Sequence, residues 1–145
     1  MAVLDDKIQE EIFRLENLAY ERFQENKIDE YFKLSEEAWS LYPEPKNNWN
    51  EAYNSAMYIV NVCFSIKDYD RAKKWLNEMI NVNNNLHQSD EELAHYIGKY
   101  HFDTGNYEEA LMRFKEVVQE AGFRYFEDED PKYLDFYRNP EKYMQ

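Results

Sequence analysis

A single cysteine, Cys63, stands in 145 residues. No disulfide can form within the chain, a usage that suits a reducing cytoplasm. Glycine and proline are sparse, at 3 and 4 residues. With so few breakers, and many Glu, Lys, Leu and Ala, helices are favoured. No apolar run is long enough to span a membrane. The acidic opening MAVLDDKIQEEIF does not read as a secretory signal. Basic residues are in deficit, 17 against 30 acidic, for a net charge of −13. Such a chain would repel nucleic-acid phosphates and anionic lipid surfaces. It suits a basic protein partner or simple solubility.

Aromatic residues are plentiful, with 13 Tyr and 9 Phe. Apolar residues reach 43%, which excludes a disordered composition and allows one domain with a real core. The charge is uneven along the chain. Residues 1–42 carry 5 basic and 11 acidic side chains, residues 43–86 carry 5 and 5, and residues 87–145 carry 7 and 14. The negative field sits at both ends.

The apolar spacing is helical almost throughout. Ile8, Ile12, Leu15, Ala19 and Phe23 recur at three- and four-residue steps, as one buried helix face requires. The pattern predicts helices over roughly 5–24, 28–42, 48–65, 69–84, 89–104 and 107–121, with a short seventh after Pro131. Asn48 with Glu51, Ser89 with Glu92 and Asn106 with Glu109 read as N-caps followed by an acid, and Asp130 caps the Pro131 helix. The segments ENKIDEY, IKDYDRA and DTGNYEEA look alike and read as the turns of three hairpins. Trp39 and Trp75 read as core, while Trp49 fits core or rim.

ELAHYIGKYHFDTGNYEEALMRFKEVV, residues 92–118, resembles a tetratricopeptide repeat (TPR). Ile97-Gly98 stands at the Leu-Gly pair of that family, and Gly105, Tyr107, Ala110 and Phe114 fall at its spacing. AMYIVNVCFSIKDYDRAKKWLNEMI, residues 56–80, is similar, with Ile59, Tyr69, Ala72 and Leu76 in register and no glycine. Residues 15–43 form a degenerate third copy with Tyr31 in place of the alanine. The spacings of 41 and 38 residues between Ile28, Tyr69 and Tyr107 exceed the family's period of about 34. The resemblance implies an all-α, single-domain, TPR-like array of about three antiparallel helical hairpins, over 5–42, 48–84 and 89–121. A capping segment, 122–145, closes it.

In such arrays the first helix of each hairpin lines a concave, protein-binding groove. Carried over by position, the groove here holds Phe13, Glu16, Tyr20 and Phe23, then Met57, Asn61 and Phe64, then His95, Lys99, Phe102 and Asp103. The family's best-known ligand is a chaperone carboxylate, clamped by Lys, Asn and Arg. The clamp positions here hold Glu16, Tyr20, Tyr58, Glu92 and Tyr96, so that ligand is excluded.

The segment GFRYFEDEDPKYLDFY follows Gly122, which reads as a helix C-cap. Phe123, Tyr125, Phe126, Tyr133, Phe136 and Tyr137 are too apolar for a free tail and are expected to fold back as a lid. Glu127, Asp128, Glu129 and Asp130 are expected to form an exposed, partner-facing acidic loop. This ending also resembles small bacterial proteins encoded beside polymorphic or Rhs-type toxins, which implies an immunity protein.

No phosphate-binding glycine loop, H-E-x-x-H or paired C-x-x-C occurs. His95 and His101 fall on different sides of one helix and read, with His87, as surface or groove imidazoles. Cys63 reads as core. No catalytic residue, metal or cofactor is expected. The expected function is non-enzymatic binding of a protein, a basic toxin domain, by a monomer or weak homodimer. The alternatives are a secretion chaperone and a helical scaffold subunit.

Overall fold

The computed structural model describes residues 3–83 and 90–145, and all regular structure among them is helical. Helix α1 spans Asp6–Gln24, α2 Ile28–Ser40, α3 Asn50–Ser65, α4 Tyr69–Val82, α5 Asp90–Asp103, α6 Tyr107–Ala121 and α7 Lys132–Arg138. The expected cap Ser89 and His87 lie outside the described residues. Helix α1 packs on α2, α3 on α4, and α5 on α6, with α4 against α5 joining the last two pairs. None of these helices is long and apolar enough to cross a membrane.

The three turns inside these pairs share one geometry. Asn26, Lys67 and Gly105 all sit in the left-handed region, at φ 64°, 59° and 85°. After each, a backbone N–H reaches back five residues: Lys27 to the Arg22 carbonyl (2.8 Å), Asp68 to Cys63 (2.9 Å) and Asn106 to His101 (2.8 Å). A second bond runs from Asn26 to Phe23, Lys67 to Phe64 and Gly105 to Phe102. Each is a Schellman closure, which satisfies the last carbonyls of one helix and reverses the chain. The next helix begins at once, with Ile28, Tyr69 or Tyr107.

Capping departs from expectation. Asn48 does not cap α3; it ends a 3-10 turn, Lys46–Asn48, and Trp49 holds the cap position. Tertiary bonds shape this linker instead. Lys46 Nζ donates to the carbonyls of Trp39 and Tyr42, and Trp49 Nε1 donates to that of Pro43 at 2.7 Å. Asn106 stands at the cap of α6 but makes no side-chain cap bond. Pro131 holds the N-cap position of α7, and Asp130 just before it accepts from the Lys132 N–H at 3.0 Å.

The core has two parts. The first lies among α1–α4 and one face of α5, around Ile12, Tyr53, Val60, Cys63, Trp75 and Met79, with Leu93 from α5. Trp39 is half-buried and meets the buried Trp75 edge-on at 5.4 Å. The second lies between the α5–α6 pair and the C-terminal segment, around Phe102, Phe114, Val117, Phe126, Tyr133 and Phe136. Gly98 lets α5 approach α6, because a Cβ there would stand 2.7 Å from the Phe114 ring.

Candidate functional site

The face formed by α1, α3 and α5 divides into a covered part and an open part. The C-terminal segment covers the α5 end. Glu129 turns inward, with Oε1 2.7 Å from His95 Nε2 and Oε2 3.1 Å from Lys99 Nζ. Asp103, whose side chain is only 3% exposed, accepts from the hydroxyls of Tyr133 (2.9 Å) and Tyr69 (3.2 Å), with Lys132 Nζ at 3.3 Å. Burial and the neighbouring Asp103 carboxylate push the Tyr133 phenol far up and the Tyr69 phenol to about 12. Both therefore stay protonated as donors. Phe102 is enclosed by Tyr107, Tyr133, Phe136 and Tyr143.

Four groove positions expected from the sequence are thus occupied from within the chain. His95, Lys99, Phe102 and Asp103 hold the lid. His95 is not a surface or groove imidazole; it is buried, edge-on to Phe126 at 4.7 Å. Only part of the acidic loop is on display. Glu127 and Asp128 are exposed, Asp130 is exposed but accepts from the Lys132 N–H, and Glu129 is an internal ion-pair partner. Five of the six lid rings are buried or half-buried, and Phe123 stays exposed beneath the Arg138 guanidinium.

Toward α1 the face is open. Phe13, Tyr20 and Tyr58 are 47%, 58% and 62% exposed, unusually high for large rings near one another. Tyr20 and Tyr58 border a cleft of about 340 Å³ whose floor is Tyr31, Ser35, Ile59 and Val62. A second cleft of about 220 Å³ adjoins it, lined by Phe13, Tyr42, Glu51 and Asn54. Glu16, Ser55 and Tyr58 line both. Glu16 accepts from Ser55 Oγ at 2.6 Å, and Ser55 Oγ lies 2.8 Å from the Tyr42 hydroxyl. Because the serine proton goes to Glu16, Tyr42 donates to Ser55. Burial raises the Glu16 carboxyl above its usual range, against the lowering effect of that Ser55 bond.

The other expected groove residues serve mixed roles. Phe23 packs on Tyr31 at 5.6 Å, Met57 packs on the first core, and Phe64 stacks with Tyr96 at 6.4 Å. Asn61 is exposed. Tyr42 and Ser55 were not singled out in the sequence, since their polar link spans separate helical pairs. Tyr58 was visible only as a departure from the clamp pattern.

Another cleft, about 440 Å³, lies beside α7 between Phe126 and Arg138. Its Asp135 is already engaged by Lys142, Tyr143 and Asn139. Burial pushes the Cys63 thiol up to about 12, so it is no nucleophile at neutral pH. Among the described residues no group of His, Cys, Asp and Glu is placed to hold a metal.

The fold and the open face define an all-helical protein with an aromatic, acidic cleft. Comparison with protein-family models, curated proteins and solved structures finds no significant match to this chain.

Proposed function

We propose that the chain is a TPR-like, non-enzymatic protein-binding module, and that it acts as an immunity protein by binding and blocking a basic toxin domain. The reading rests chiefly on one observation: Phe13, Tyr20 and Tyr58 stand exposed around the half-buried Glu16 on the open α1/α3 face. Large rings of this kind anchor protein interfaces. The repeated Schellman turns and the Gly98–Phe114 approach support the TPR-like part. The net charge of −13 supports a basic partner.

The test is direct binding between the purified chain and the product of the gene beside its own. A one-to-one complex that abolishes the partner's toxicity is expected. Tyr20→Ala and Tyr58→Ala should each weaken it by about tenfold or more. A neighbouring product that neither binds nor is toxic would sink the immunity reading.

A further inference from the structure

We propose that the α1/α3 cleft takes a lysine or arginine side chain of the protein partner, gripped by Glu16 between Tyr20 and Tyr58. This rests on the protein-binding reading above and adds the chemistry of the contact. The two adjoining clefts are lined by two carboxylates, Glu16 and Glu51, and among the described residues by no cationic side chain.

Glu16 has one neutral donor, Ser55, and no salt-bridge partner among the described residues. A carboxylate can accept about four hydrogen bonds. Ser55 is itself held by Tyr42, so the carboxylate is oriented before any ligand arrives. Burial raises its carboxyl pKa, and the Ser55 hydrogen bond offsets this only in part.

The alternatives fit worse. A neutral apolar occupant would bury Glu16 further without pairing it, which is costly. An anionic group would meet two carboxylates in a chain of charge −13. A guanidinium or ammonium gains a charge-assisted bond to Glu16 and the ring faces of tyrosines. It also turns the uncompensated carboxylate into an ion pair.

The probes are N-acetyl-arginine methylamide, N-acetyl-lysine methylamide and the neutral isostere N-acetyl-citrulline methylamide. Each is titrated into the full chain and followed by amide NMR shifts. Both cationic probes should shift residues 13–20 and 54–62, and should bind about tenfold more tightly than the citrulline compound. Glu16→Gln keeps the acceptor for Ser55 and should erase that preference. Equal binding of citrulline, shifts confined to the 127–130 loop, or no shifts would each overturn the proposal.

The protein complex separates the two ideas. If Tyr20→Ala and Tyr58→Ala weaken the complex while Glu16→Gln does not, the face docks the partner and the cation subsite is wrong. If none of the three matters, both fall.

Discussion

Gly98 shows how much one missing side chain decides. An added Cβ would lie 2.7 and 2.9 Å from Cε1 and Cδ1 of Phe114 and 3.3 Å from Arg113 Cβ. Phe114 is fully buried and already touches His95, Phe126, Tyr133 and Phe136. The ring has nowhere to retreat. Alanine would gain about 1 kcal/mol of helix propensity over glycine. Overpacking costs typically about 1–3 kcal/mol, and here the displaced atom is a locked ring. Gly98→Ala should therefore lower stability by about 1–2 kcal/mol net. Urea denaturation of the two proteins checks it, and a variant as stable as the parent would mean that α5 and α6 sit farther apart.

At the scale of elements, the C-terminal segment is structural wall as well as surface. It supplies Phe126, Tyr133 and Phe136 to a core separate from that of α1–α4. It also neutralises Lys99 with Glu129 and satisfies Asp103 with Tyr133 and Lys132. Removing residues 123–145 would strip those partners and expose Phe102 and Phe114 together. Buried charges that lose their partners are expensive, and each large core ring is worth about 3–5 kcal/mol. Because the two clusters share only α5, which gives Leu93 to the first and Phe102 to the second, the damage should be concentrated in α5 and α6. Hydrogen exchange on the truncated chain should show α5 and α6 losing protection while α1–α4 largely keep theirs; uniform loss would mean that the two cores unfold as one. The sequence made this element partly legible. Six rings after Gly122 announced a lid, and the TPR resemblance placed Phe13 and Tyr20 among the expected groove residues. The role of Glu129 was hidden within Glu127-Asp128-Glu129-Asp130, four acids with no local difference between them. Asp128, at φ 59°, reverses the backbone there, and Glu129 meets residues 30 and 34 positions away. No local pattern encodes such a pairing. The same limit explains His95, Lys99, Phe102 and Asp103, whose positions carried over from the TPR pattern but whose partner is the chain's own end.

Across the whole molecule, exposed charge and exposed aromatic surface should govern different rates. The acids concentrate in the first and last thirds of the sequence, around a neutral middle. The open rings Phe13, Tyr20 and Tyr58 lie on α1 and α3. Exposed charges steer a basic partner over distances comparable to the Debye length, about 8 Å at physiological salt. Anchoring rings act only once water has been expelled from the contact, so they set the lifetime of the complex. Glu127 and Asp128 are the acids of the loop that are free to steer, since Glu129 holds the lid and Asp130 accepts from the first N–H of α7. Asparagine tolerates the left-handed backbone at Asp128. The double variant Glu127→Gln, Asp128→Asn should therefore fold normally, associate about two- to fivefold more slowly and show a weaker salt dependence, with dissociation nearly unchanged. Tyr20→Ala and Tyr58→Ala should show the reverse, a normal association rate with faster dissociation. Stopped-flow mixing with the partner at several salt concentrations resolves the two. If the double acid variant loses binding while both tyrosine variants dissociate like the parent, the partner docks on the C-terminal loop and the α1/α3 face is not the contact.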